Sequence, residues 1–217
     1  MIMEFKEDMM KTFEMTDLGL LHYFLGIEIH QRKDSIFISQ KKYAESLLKK
    51  FKMEGCKTVA TQLDNNKALK KEDGSPKAHN SQFRSLIGSL LYLNATRPDI
   101  MYATSFLSRF MQNPSQIHYG ERESEYSDIR KEQRTMVFGM NVMHSKLIGY
   151  LQTTIKAGSI DDKKSTSGYA FTLSSGIISC ASKKQATVAQ SSTEVEYITV
   201  AMTTYQTIWL KRILEDM

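Results

Sequence analysis

The sequence predicts an α+β fold, and three observations carry that reading. Near the N-terminus, IEI and IFI alternate on either side of the polar QRKD, the pattern of a half-buried strand pair. KKYAESLLKKF and FRSLIGSLLYL then place apolar residues three and four apart, the period of helices that pack on one side. The last third repeats the mixture, with short β-rich runs split by Ser-Gly turns ahead of a long helical stretch. With 217 residues, 41% of them hydrophobic, the chain can bury a core. A net charge of +5 and a pI near 9.0 permit a polyanionic partner without requiring one.

Each element has its own warrant. Phe5, Met9, Met10 and Phe13 mark a short amphipathic helix that stops near Asp17-Leu18-Gly19. LHYFLGIEIH and SIFISQ form a hairpin, and Gly26 inside the first strand predicts a bulge or a close backbone approach. Tyr43, Leu47, Leu48 and Phe51 lie on one helical stripe with lysines on the other face. Thr58 to Asn80 is polar, with a turn at Asp73-Gly74-Ser75-Pro76, and reads as a surface connection. A helix from Ser81 ends at Thr96-Arg97-Pro98-Asp99, where Asp99 is expected to cap the next helix toward Met111, closed by Asn113-Pro114. After Gly120 the pattern breaks: ERESEYSDIRKEQR has almost no apolar period, and TMVFGMNVMHS fits neither helix nor strand. Strands are expected again around Tyr169–Leu173, Ile177–Ala181 and Thr187–Val188. A final helix, Glu194–Glu215, carries Val195, Ile198, Met202, Tyr205, Ile208, Trp209 and Ile213 as its apolar side.

Cys56 and Cys180 have neither CxxC spacing nor a neighbouring histidine cluster, so they read as two reduced, buried thiols of an intracellular protein of cytoplasm or nucleus. The charged start MIMEFKEDMMK lacks an apolar signal core, and no run of 18 uncharged apolar residues follows; neither secretion nor a membrane span is expected. In QSSTEVEY, Thr193 and Glu196 have the spacing of a capping box. Two acids alone cannot hold the metal pair that phosphodiester chemistry uses.

Together FEMTDLGLLHYFLGIEI, FRSLIGSLLYLNATRPDIMYA, LSRFMQNPSQIH, KSTSGYAF, ASKKQATVAQSSTEVEY and IWLKRIL resemble the Pol polyprotein of copia-type LTR retrotransposons, over Phe5 to Gly120 and Ala157 to Met217. The resemblance implies a reverse transcriptase C-terminal region over 1–120, comprising a palm-end hairpin and a helical thumb-like part. A degenerate connection over 121–156 follows, and then a truncated RNase H-like domain with an incomplete α/β sheet over 157–217. By the same resemblance Tyr23, Phe24, Leu25 and Gly26 sit where a primer-grip hairpin positions the primer strand; on the following helix Lys41, Lys42, Lys49 and Lys50 read either as phosphate contacts that do not read bases or as a solvated helix face. The family's Asp-Asp polymerase turn would lie before Met1. Of the four RNase H carboxylates, the first falls at Gln152 in YLQTTIKAG, the second matches Glu196, and the others fall beyond Met217; Asp161 and Asp162 read as turn acids.

Magnesium serves the parent family, and no cofactor is expected for this chain. Residues 121–156 read as family sequence in a shifted frame between two compensating indels, because a frame one base earlier can turn Gln152 to Ile155 into Thr-Asp-Asn-Asp. The expected function is a catalytically inactive part of a copia-type reverse transcriptase/RNase H polyprotein that keeps a weak surface for RNA/DNA hybrid or duplex. Two alternatives stand beside it. One is a subunit of an active RNA-directed DNA polymerase/RNase H, assembled with other chains such as the remainder of Pol. The other is a small non-catalytic RNA/DNA-binding module.

Overall fold

The computed structural model describes residues 2–33, 35–54, 69–120, 136–139, 147–154, 158–173 and 176–216. It is α+β, with helices flanking two small antiparallel sheets. Helix α1 spans Ile2–Thr12, and the first sheet follows as β1 (Tyr23–Phe24), β2 (Ile27–Arg32) and β3 (Ser35–Ser39). The helices α2 (Lys41–Lys50), α3 (Asn80–Leu93), α4 (Met101–Leu107) and α5 (Gln116–Gly120) come next. Strand β4 (Met136–Gly139) then returns to pair with β3, completing the order β1-β2-β3-β4. The second sheet, β5 (Leu147–Thr154), β6 (Thr166–Leu173) and β7 (Gly176–Lys184), is a meander in that order, and α6 (Ser192–Asp216) packs across it.

Helix α3 is the spine of the first core. Phe83, Leu86, Ile87, Leu90 and Leu93 recur on one face and are fully buried against Leu47 and Leu48 of α2 and Ile100, Leu107 and Phe110 around α4. Each fully buried side chain of this size stabilises by about 1.5–3 kcal/mol. The α2 stripe is as expected: Leu47 and Leu48 are buried, with Tyr43 and Phe51 packed beside them. Asp99 does not cap α4, because its carboxylate is taken by the buried Arg97, whose Nε and Nη2 donate to it at 2.8 and 2.6 Å.

Of the polar connection before α3, residues 58–68 lie outside the described residues, and the part from Leu69 on is tied down by a clasp in LSRFMQNPSQIH. His118 is 0% exposed and stacks on Phe110 with ring centroids 4.0 Å apart. The Ser115 N–H donates to its Nδ1 at 2.9 Å, and its Nε2–H donates to the Lys70 carbonyl at 3.0 Å, which defines a neutral ring. Ser115 Oγ donates in turn to Asp73 at 2.5 Å, and Asp73 also accepts from the Ser75 N–H and hydroxyl. The Ser115 hydroxyl, foremost, and both Ser75 donors pull the Asp73 carboxyl down to about 2.

Several expectations are corrected. The run 21–30 is not one strand with a bulge: the chain reverses at Leu25-Gly26, where φ is +48° and +78°. The apolar residues of α1 find no core, and Met3, Phe5, Met10 and Phe13 are exposed; Lys6 instead bonds Asp17 at 2.7 Å. No strand forms at Thr187–Val188, and the third strand is β5, whose partner β6 lies beyond a turn. On α6 the buried stripe is Val195, Thr199, Thr203 and Leu210, while Tyr205, Ile208 and Trp209 are exposed. The sheet covers only one face of α6. The small hydroxyl residues let it approach closely: Thr199 and Ser167 hydroxyls meet at 2.6 Å, and Gln185 Nε2 donates to Ser167 at 2.8 Å. Gly149 of β5 lies under Phe171, and a Cβ there would sit 2.8 Å from the ring. Cys180 is a free, half-buried thiol, while Cys56 lies outside the described residues.

Candidate nucleic-acid interface

The β1–β2 turn presents apolar side chains to water. Tyr23, Phe24 and Leu25 are 54%, 55% and 70% exposed, although the backbone beneath them is anchored. The Tyr92 hydroxyl of α3 donates to the Leu25 carbonyl, and the Tyr92 ring meets Tyr43 edge-on at 5.0 Å. Gly26 provides the positive φ, and a Cβ there would rest 3.6 Å from Tyr92, so the close approach expected at Gly26 is to a protein ring. Tyr23 stands opposite Glu28 in the ladder and Phe24 opposite Ile27, which sends the two rings to opposite faces of the ribbon.

Helix α2 distributes its lysines unevenly. At about 100° per residue, Lys42 and Lys49 point away from the Leu47/Leu48 stripe, with Lys41 and Lys50 to either side. Lys42 Nζ lies 5.7 Å over the Tyr23 ring and 3.7 Å from Glu28, whose other oxygen accepts from Ser39 Oγ at 3.0 Å. Lys50 Nζ donates to Ser85 Oγ at 3.0 Å and lies over Phe51. Lys41 and Lys49 are exposed and have no partner among the described residues. The geometry thus joins Tyr23 with Lys42 and sets Lys49 and Lys50 at the other end of the helix, roughly 10–13 Å along its axis. Glu28 is the residue that sequence reasoning missed. Its signal lay in the alternation IEI, which aims it to the face shared with Tyr23.

The acids Asp161, Asp162 and Glu196 do not converge. Glu196 is exposed, and it is not part of the helix cap. The cap lies two residues earlier, where Ser191 Oγ accepts from the Glu194 N–H at 3.1 Å and Glu194 reaches back to the Gln190 N–H at 2.7 Å. Thr193 is already inside the first turn, which is why its box with Glu196 does not form. The backbone of Gln152 pairs with Gly168 in the β5–β6 ladder. Asp161 and Asp162 occupy a turn; Asp161 accepts from the Lys71 N–H at 3.2 Å and Asp162 bonds Lys184 at 2.6 Å. Burial works to raise the Asp162 carboxyl, but Lys184 and the Ser159 hydroxyl offset it and hold that group well below the usual carboxylate range. Among the described residues no three His, Cys, Asp or Glu side chains converge to hold a metal ion.

Comparison with known proteins bears directly on this surface. Residues 1–65, which contain the hairpin and α2, match the family described as reverse transcriptase (RNA-dependent DNA polymerase). The retrovirus-related Pol polyprotein from transposon TNT 1-94 of Nicotiana tabacum is 36% identical over the whole of this chain and 17% of its own length. The Pol polyprotein from transposon RE2 of Arabidopsis thaliana is 34% identical over 91% of this chain and 14% of its own length. An uncharacterized mitochondrial protein of Arabidopsis thaliana is 36% identical, covering 91% of this chain and 82% of its own length. The chain belongs to the copia-type retrotransposon Pol family. It corresponds to a segment of those Pol polyproteins with reverse transcriptase sequence, and spans less than a fifth of the tobacco relative. No solved structure matches this Pol segment.

Proposed function

We propose that this Pol segment is catalytically inactive and retains a weak, sequence-independent surface for RNA/DNA hybrid or duplex, formed by the Tyr23–Gly26 turn and the lysines of α2. One observation carries the reading: an anchored turn that holds two aromatic rings in water, with Lys42 over one of them, inside the stretch that matches reverse transcriptase. Lysines on phosphates supply affinity and steering without reading bases. The three-stranded meander followed by α6 supports an RNase H-like second half, and Gln152, standing where the resemblance places the first carboxylate, supports inactivity. The half-buried free thiol of Cys180 supports a reducing compartment, where the remainder of a Pol polyprotein is a second partner.

Fluorescence anisotropy of the full chain with a labelled RNA/DNA hybrid, repeated across salt concentrations, tests the surface. The expected log–log slope is shallow and negative, and Lys41→Ala with Lys42→Ala should reduce its magnitude by about 2, close to 0.9 per phosphate contact. A folded chain that gives no shift at low salt, or a slope the double variant leaves unchanged, rejects the surface. Primer extension and hybrid cleavage with magnesium or manganese should both be absent. Cleavage abolished by Glu196→Ala would reject inactivity.

A further inference from the structure

Phosphate contacts need only cations, yet the β1–β2 turn also holds aromatic side chains in solvent. A flexible turn would fold them back; this one is pinned by Tyr92 to the Leu25 carbonyl and fixed by positive φ at two successive residues. The ring of Tyr23 is itself positioned. Lys42 lies over it at 5.7 Å, and Glu28, its cross-strand neighbour, holds Lys42 at 3.7 Å while accepting from Ser39. One side of the ring therefore carries a cation, and the residue as a whole remains 54% exposed. Phe24 projects to the other face of the ribbon and has no lysine described beside it.

Resting on the nucleic-acid reading above, we propose that Tyr23 is a stacking platform for one unpaired base, with Lys42 taking the adjacent phosphate, so that the hairpin selects single strands and overhanging ends over closed duplex. Within a closed duplex each base face is covered by its neighbours, and a protruding ring meets sugars, phosphates and base edges in the grooves, with an open face only at the terminal pairs. An unpaired base offers an open π-face, and any base will serve, so the preference is for strandedness and not for sequence. The lysine behind the ring adds charge where the next phosphate of the strand must pass.

The test uses the full chain with three labelled probes of matched strand length: oligo(dT), a blunt RNA/DNA hybrid, and the same hybrid with a short 3′ overhang. Oligo(dT) and the overhang should bind about tenfold tighter than the blunt hybrid, the effect of a single stacked base. Tyr23→Ala should weaken binding of oligo(dT) and the overhang about tenfold more than binding of the blunt hybrid, so that the preference disappears, and Tyr23→Phe should keep it. Lys42→Ala should lower the salt slope on oligo(dT) by about 1. Tyr23 is a surface residue, so circular dichroism of Tyr23→Ala should match the parent. Equal affinity for blunt and single-stranded probes, or an equal loss on both in Tyr23→Ala, overturns the stacking platform and leaves the phosphate surface standing. No binding to any probe overturns both, and assigns the aromatic turn to contact with protein.

Discussion

Acid should loosen this protein through His118 before it protonates the carboxylates. The folded state holds the ring neutral, with Nδ1 accepting from the Ser115 N–H and Nε2 donating to the Lys70 carbonyl. Burial lowers its pKa from 6.5 and outweighs the opposing pull of Asp73, the Lys70 carbonyl and Asp161. A proton on Nδ1 would also face the Ser115 N–H, donor against donor. The sign follows from linkage: below pH 6.5 the unfolded chain takes up a proton that the folded ring refuses, so stability is present above 6.5 and falls with pH until the folded ring titrates. For one proton the slope is at most about 1.4 kcal/mol per pH unit. Asp73, depressed to about 2, adds a separate loss below 3.8 that is complete only as pH passes through its folded value. Urea unfolding of the full chain at pH 7.5, 6.5 and 5.5 measures the first window. His118→Gln should cost about 2–4 kcal/mol at neutral pH, from the lost stacking and the stranded Ser115 and Lys70 groups, and should flatten the pH dependence between 6.5 and 5.5. If the variant keeps the full slope, or if the parent gains stability on acidification in that window, the clasp does not titrate as described.

Three further outcomes are expected. Arg97→Lys should destabilise by about 2–4 kcal/mol despite keeping the charge, because one ammonium cannot replace the fork on Asp99; the urea midpoint of the variant against the parent measures it. Gly149→Ala should cost about 1–3 kcal/mol by driving a methyl into Phe171, and adding Phe171→Leu should recover part of that loss in thermal melts. Sequencing the encoding locus should find GAC or GAT within the codons of Gln152 to Ile155 when read one base earlier; their absence would end the frameshift account of the first carboxylate.

The parts that were legible in the sequence are those whose partners are near or whose face is single. Helices α2 and α3 each bury one apolar stripe, so the 3.6-residue period shows directly. On α6 apolar residues occupy more than one face, and the buried stripe is marked by Thr199, whose hydroxyl meets that of Ser167, and Thr203, whose hydroxyl donates to the Thr199 carbonyl. The turn at Leu25 was invisible because leucine is no turn signal; its left-handed backbone is held from α3 by Tyr92. The clasp needs Asp73 to meet Ser115 across 42 positions, a distance no local pattern spans. At the candidate interface the aromatic turn and the lysines could be read from sequence, but that Lys42 alone joins Tyr23, through Glu28, could not.

The pairing of β3 with β4 joins Ile38 to Met136, and that closure governs how the chain must be born. Bringing together positions about a hundred residues apart costs on the order of 4 kcal/mol of loop entropy before the ladder returns anything. The β2–β3 hairpin is local and can form as soon as it leaves the ribosome. At roughly 5–20 residues per second, its second edge then waits about 5–20 seconds for the strand that covers it. Through that interval Ile36, Phe37 and Ile38 form an unpaired β edge, open to any other nascent chain. Yield of folded protein should therefore depend on translation speed and on chaperone supply more steeply than its modest size suggests.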